Sequence, residues 1–327
     1  LQMYKHNNKT VWRCVDWDNE KGQERFEKGK NRHDPYIVSM TTGTNGIYMG
    51  SENLNLDDDD RPCIFRGLGK SPLIHKCIEK GIDYMYIDTG YFGNDKRKQY
   101  HRISLNNLQT LNHRSIKEVK TLLISGIGER EARAYFKRAD DIFNSGQAFE
   151  KWYRKGDIQY LDTVPLESVE RGKTILVVPP SQKVFNHFGG DAIEWTNKLI
   201  ENIKKITDRP IEIREKVGRS ERLDFSVQDQ LRTGKYHCIV TFNSIASVEA
   251  VTVGVPAIVL GPNAGSYLSE TKLENIDTPF FPDRQQIIEH MFYLSCCQFT
   301  GEQMQSIITK RTIEVLQGDQ TPRGLTI

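Results

Sequence analysis

The feature that most constrains this chain is a rhythm of segments running from Thr174 to Pro262. TILVVPPS (174–181) reads as a buried strand stopped by two prolines. AIEWTNKLIENIKKIT (192–207) spaces its apolar residues three and four apart, the signature of an amphipathic helix. PIEIREK (210–216), CIVTFNS (238–244) and PAIVLGP (256–262) read as strands, with short helices at VQDQLRTG (227–234) and IASVEAVTVG (245–254) between them. Strands that alternate with helices pair in parallel, because each return to the same sheet edge needs a crossover. The expected result is a doubly wound α/β domain.

The first half carries a weaker version of the same pattern. CIFRGLG (63–69) reads as strand and turn, LIHKCIEKG (73–81) as a helix closed by glycine, and DYMYIDTGYFG (83–93) as a strand that ends in a sharp turn. YIVSM followed by TTGTNG (36–46) reads as a strand and a Gly-rich turn. Residues 10–33, with Trp12, Trp17 and Phe26 as anchors, read as an extension on the core. The acidic run Asp57–Asp60 reads as a solvated loop, and His75 as a structural residue of its helix. Three parts are expected: residues 1–165, residues 166–305, and a helix and tail over 306–327.

Composition excludes several classes. With 45 Lys/Arg against 43 Asp/Glu, the net charge of +2 advertises no nucleic-acid partner by itself. No run approaches the roughly 18–20 apolar residues that span a bilayer, and the opening LQMYKHNNKT is too polar for a secretory signal, so a soluble cytoplasmic protein with no membrane partner is expected. Leu1-Gln2 ahead of Met3 is given no meaning. Six scattered cysteines, with Cys296-Cys297 adjacent and no C-x-x-C pair, indicate a reducing compartment without structural zinc or a disulfide framework.

Chemistry concentrates in TFNSIASVEAVTVGVPAIVLGP (241–262). A strand delivers Asn243 and Ser244 to the carboxyl edge of the sheet, where ligands of open α/β sheets bind, and a helix begins there at once. The N–H groups of that helix favour phosphate, the hydroxyls of Ser244 and Ser247 add donors, and Glu249 suits ribose or sugar hydroxyls. Capping by Ser244 with a dipole-favoured Glu249 is the alternative. Ser181 and Lys183 end another strand at the same edge. Arg214 and Lys216 lie two apart on one strand face, an arrangement suited to a diphosphate or, failing that, to a solvated edge.

The Arg-x-Lys strand, the S-x-x-S-x-E-A-x-x-x-G-V-P segment and YLSCCQFTGEQM (293–304) resemble the donor half of two-domain nucleotide-sugar glycosyltransferases. The likeness is to capsule-type transferases, such as the Kdo transferases of polysaccharide export. It extends to transferases of T-even-like phages that glycosylate or arabinosylate hydroxymethylcytosine in DNA. YIDTGYFGNDKRKQYHRISLNN (86–107) resembles a D-x-G-Y-F…Y-x-R-x-x-x-N pattern of the same group, matched by Asp88, Gly90, Tyr91, Phe92, Tyr100, Arg102 and Asn106. The resemblance implies two Rossmann-like α/β domains with parallel sheets facing across a cleft, the B-type glycosyltransferase fold, with the last helix crossing back.

It also implies roles. Asp88 becomes the general base of an inverting transfer, although an Asx turn explains it equally well. Ser181, Lys183, Arg214, Lys216, Asn243, Ser244, Ser247 and Glu249 hold a nucleotide-sugar, most simply a UDP-sugar, and no D-x-D element is placed for a metal-dependent donor site. Tyr91, Phe92, Lys96, Arg97, Lys98, Tyr100, His101, Arg102, Arg114 and Lys117 meet the acceptor, with His101 an alternative base. From Asn94 to Lys155, 14 Lys/Arg face seven Asp/Glu, a local charge of +7 against −5 for the remainder. Aromatic residues are interleaved with these charges, and this pattern taken together with the phage resemblance makes double-stranded DNA the expected acceptor. A glycan acceptor, a nucleotide-sugar epimerase and a non-catalytic DNA-binding protein remain the alternatives, and no obligate protein partner is implied.

Overall fold

The computed structural model describes residues 11–91, 100–144, 171–214 and 226–318. Two compact units are formed, one by Leu1–Ile142 with Tyr293–Leu325 and the other by Phe143–Phe292 with Thr326–Ile327. Both are α/β, each built on its own sheet.

The first unit opens with β1 (Arg13–Asp16), buried along its whole length. α1 (Asn19–Glu27) and α2 (Pro35–Thr44) lead to β2 (Ile47–Gly50), which pairs in parallel with β1. β3 (Cys63–Arg66), α3 (Ser71–Lys80) and β4 (Tyr84–Thr89) extend the parallel sheet on the other side. β5 (His101–Leu105) then pairs antiparallel with β4, and α4 (Ile116–Ile127) and α5 (Glu129–Asn144) follow.

Three expectations need correction here. Residues 10–33 are no extension, since they supply β1, an interior strand of the sheet. Tyr36–Met40 lies in a helix: Asp34 caps it through Tyr36 N at 3.0 Å, Pro35 takes the first turn, and Asn45 ends it in the left-handed region with φ 49°. The expected all-parallel sheet is mixed at β5, which pairs antiparallel with β4: residues 90–100 between the two strands are shorter than the dozen or more residues that a parallel crossover needs.

In the second unit β6 (Thr174–Val178) is followed by α6 (Gln182–Phe188) and α7 (Ala192–Ile206). β7 (Ile211–Ile213), α8 (Val227–Leu231), β8 (Tyr236–Thr241), α9 (Ala246–Val251) and β9 (Ala257–Val259) complete it. All pairings are parallel, in the order β7-β6-β8-β9. Alternate residues of the central strands, Ile175, Val177, Cys238 and Val240, meet Leu199 and Ile203 of α7 in the core. On leaving β8 the chain buries Phe242, whose ring packs edge-on against Phe185 and Phe188 at 4.9 and 5.2 Å between centroids.

α10 (Arg284–Cys296) carries the chain back to the first unit, where β10 (Gln298–Phe299) pairs antiparallel with β5 and α11 (Ile307–Gln317) packs on α4. The return therefore falls at Tyr293 rather than at Ser306, because β10 completes the edge of the first sheet. Gln317 extends that edge with its side chain, accepting from Leu105 N and donating to Ile103 O, each at 3.0 Å. α11 approaches α4 so closely that a Cβ on Gly126 would sit 2.2 Å from Val315. All six cysteines are buried and unbridged.

Candidate functional site

In the second sheet the chain leaves β6 towards β7, then returns to the opposite side of β6 as β8. The switch point of this doubly wound topology therefore lies between the carboxyl ends of β6 and β8, where such sheets open a crevice. Thr241 donates to Val178 O at 2.8 Å at the last paired position before the strands diverge. Ser181 and Lys183 follow β6, Asn243 and Ser244 follow β8, and Arg214 follows β7. The topology thus brings five of the sequence-named residues to one edge.

Their roles separate on inspection. Ser181 precedes α6 but makes no side-chain bond to it, and Lys183 is exposed, so both are available to a ligand. Ser247 is not available. Its hydroxyl is fully buried, 3.0 Å from Ser244 O and 2.9 Å from Asn263 Oδ1, while Asn263 Nδ2 donates to Ser244 O at 2.9 Å. This network ties the loop after β8 to the loop after β9. Ser247 is therefore a brace, not a phosphate donor. Ser244 follows the capping alternative: although Ile245 directly precedes α9, Ser244 Oγ accepts from Ala246 N, at the first residue of the helix, at 3.2 Å. Lys216 lies outside the described residues.

Glu249, on α9, is the most perturbed carboxyl of this edge. Part of its side chain still reaches solvent, but protein surrounds the carboxyl, and burial pushes its pKa up to about 7. Arg214 pulls in the opposite direction without cancelling the effect. Arg214 is itself held by Gln230 of α8, which accepts from its Nη1. The result is a carboxylic acid that is near half-ionised at neutral pH beside a guanidinium. It can donate a hydrogen bond to a ligand or accept one.

The first sheet has its own switch point. The chain leaves β1 for β2 and comes back on the other side as β3, so the point lies between the carboxyl ends of β1 and β3. There Asp16, 1% exposed, accepts from Tyr48 OH at 2.5 Å and from Asp34 N at 2.9 Å. Arg66, the last residue of β3, pairs with Asp34 at 2.6 Å and lies over the Tyr36 ring. Lys70 Nζ donates to Asp16 O at 2.5 Å, and burial lowers its pKa. His33 stands outermost, with its side chain 55% exposed and Nδ1 2.6 Å from Tyr48 OH. The sequence reading missed this cluster entirely. The only signal for it in the sequence is Asp16 at the end of the short stretch RCVD, whose two charges mask a buried strand.

Asp88 lies on the same carboxyl edge, near the end of β4, with its side chain 40% exposed. Its Oδ2 pairs with Arg102 Nη2 at 3.0 Å and its Oδ1 accepts from Thr89 N at 2.7 Å. Other acceptor-side expectations are corrected by burial. Tyr91 is 1% exposed and its hydroxyl accepts from Thr110 N at 2.9 Å, so it belongs to the core. His101 is buried with its ring 3.8 Å from that of Tyr36, which removes it as a solvent-facing base. The guanidinium of Arg102 is spent internally on Asp88, Thr89 O and Leu108 O. Tyr100 and Arg114 are half-buried and Lys117 is exposed, whereas Phe92, Lys96, Arg97 and Lys98 lie outside the described residues.

A shallow groove of about 480 Å³ is lined by Lys173, Arg209, Pro210 and Asp277 at the amino edge of the second sheet. It is on the wrong edge for a ligand of a parallel sheet, and Arg209 and Asp277 pair with each other at 2.8 Å. Among the described residues no group of three or more His, Cys, Asp or Glu is placed to hold a metal ion, and no helix is long and apolar enough to cross a membrane.

No protein-family model matches the chain, and no curated protein does. Among solved structures, it is similar to the Thermosulfurimonas dismutans KpsC, a beta Kdo 2,4 transferase, with a TM-score of 0.39 and 10% identity over 88% of this chain and 100% of that one. A likeness at that level carries no conclusion about fold or chemistry.

Proposed function

We propose that the chain is a nucleotide-sugar-dependent glycosyltransferase whose donor is held by the second unit. The observation that carries the reading is the pairing along the carboxyl edge of the second sheet of a cation and a protonatable acid, Arg214 after β7 and Glu249 on α9, with Ser181, Lys183, Asn243 and Ser244 on the same edge. A nucleoside diphosphate sugar, most simply a UDP-sugar, needs these two kinds of group. Cations and hydroxyl or backbone donors meet the phosphates, and a carboxyl meets the ribose or sugar hydroxyls. Lys183, which is exposed, and Arg214 would stabilise the charge that develops on the leaving phosphate, so that no metal is strictly required.

On the acceptor side, a single in-line displacement inverts the anomeric carbon and needs only a base for the acceptor hydroxyl. The carboxyl edge of the first unit offers Asp88 and His33. The acceptor we assign is 5-hydroxymethylcytosine in double-stranded DNA, on the strength of the +7 segment from Asn94 to Lys155 and the sequence resemblance.

The test pairs UDP-, CMP- and GDP-sugars with plain DNA, hydroxymethylcytosine DNA and no acceptor, read by mass spectrometry of digested nucleosides. A pentose or hexose mass on hydroxymethylcytosine alone supports the reading. Donor hydrolysis with no DNA product keeps the transferase and moves the acceptor to a glycan. An epimerised donor, or DNA binding with no turnover of any donor, overturns it.

A further inference from the structure

The outermost group at the switch point of the first unit is an exposed imidazole tied to a buried carboxylate through a phenol. Tyr48 carries one hydroxyl proton, and burial together with Asp16 raises its pKa, so the proton stays in place. Asp16 can only accept, and Tyr48 OH lies 2.5 Å from its Oδ2. The hydroxyl therefore donates to Asp16 and leaves its oxygen lone pair to His33 Nδ1, 2.6 Å away. Nδ1 must then carry a proton, which puts the lone pair of the neutral ring on Nε2. Among the described residues nothing bonds to Nε2, and more than half of the side chain is exposed.

We propose that Asp16, Tyr48 and His33 form a hydrogen-bond relay that fixes the ring tautomer and presents His33 Nε2 as the base for the acceptor hydroxyl at the carboxyl edge of the first unit. The choice of substrate rests on the transferase reading, while the relay rests on the geometry of this unit alone. In the step, the acceptor O–H proton passes to His33 Nε2 and the oxygen forms its bond to the anomeric carbon. The bond from that carbon to the donor phosphate breaks, and its electron pair leaves on the phosphate oxygen. The imidazolium faces Asp16 Oδ2 at 3.7 Å, keeps its Nδ1 proton on Tyr48, and returns the Nε2 proton to water. The other charges around Asp16 are already committed. Asp34 is paired with Arg66, Lys70 is bonded to the Asp16 main chain, and Glu52 acts on Tyr48 from the turn after β2. Asp88, held by Arg102, then becomes a positioning residue.

The test uses the full chain labelled with ¹⁵N-histidine. The neutral His33 ring should be protonated at Nδ1, and Tyr48→Phe should shift it towards the Nε2–H form. An Nε2–H ring in the unaltered chain overturns the relay. With whichever donor and acceptor give product, His33→Gln should lower kcat about 100-fold or more and leave KM for the donor unchanged, a larger loss of kcat than Asp88→Asn gives. A His33→Gln protein with kcat within about fivefold overturns the role of His33. If no acceptor is modified, the transferase reading has failed, and the tautomer alone decides the relay.

Discussion

Replacing Glu249 with glutamine tests the electrostatics of the second unit without reference to any substrate. The folded chain holds the Glu249 proton up to about pH 7, against an ordinary value of 4.5. Below the ordinary value both folded and unfolded chains bind the proton, and stability is at its full value. As the pH rises from there to about 7, the unfolded chain releases the proton while the folded chain keeps it, so stability falls. Above that range the loss is complete. The gap corresponds to about 3 kcal/mol, or about 2 kcal/mol once the part of the side chain still at solvent is allowed for. Glutamine fills the same space and does not titrate. Urea denaturation of both proteins from about pH 4 to about pH 8 should show the unaltered chain losing about 2 kcal/mol relative to the variant, with the slope confined to the range between the ordinary value of 4.5 and about 7. Other titrating groups are common to both and cancel. Parallel stability curves would refute the reasoning, because they would mean that the carboxyl is solvated at its ordinary value.

Three further outcomes follow from named contacts. Arg214→Met should raise KM for the donor about tenfold or more while leaving urea stability within about 1 kcal/mol, measured by donor titration and denaturation. Gln317→Ala leaves Leu105 N and Ile103 O unpaired in a buried edge, and should lower the urea-derived stability by about 2–4 kcal/mol. Asp59, held at a pKa of about 2 chiefly by Arg61, also sits 3.3 Å from the fully buried Arg13. Asp59→Ala should lower the thermal midpoint by an amount equivalent to about 2–3 kcal/mol, more than the same change at exposed Asp58, since a buried guanidinium loses its charge partner.

Much of the second unit was legible in the sequence, because three of its four strands, β6, β8 and β9, are short runs buried on both faces and its long helix repeats at 3.6 residues. The first unit was harder. A five-residue apolar run such as Tyr36–Met40 fits a strand or a buried helix turn equally well. The deciding signals were flanking ones: Asp34 and Pro35 at the start and Asn45 at the end. β1 escaped notice because its four residues, RCVD, include two charges, and only packing shows Arg13 and Asp16 to be buried.

The site divides in the same way. Which residues stand at the carboxyl ends of strands is a matter of chain order, so Ser181, Lys183, Arg214, Asn243, Ser244 and Asp88 could be named from sequence. Which of them still has a hydrogen bond or a charge to offer depends on neighbours that are distant along the chain. Asn263 consumes Ser247, Arg102 is consumed by Asp88 and two carbonyls, and Tyr36 covers His101. The sequence by itself determined the alternation of strands and helices, because burial periodicity is a local property. Only the tertiary structure decided that Asp16, Tyr48 and His33 meet and that Glu249 is desolvated, because strand order and burial arise when the sheet is assembled.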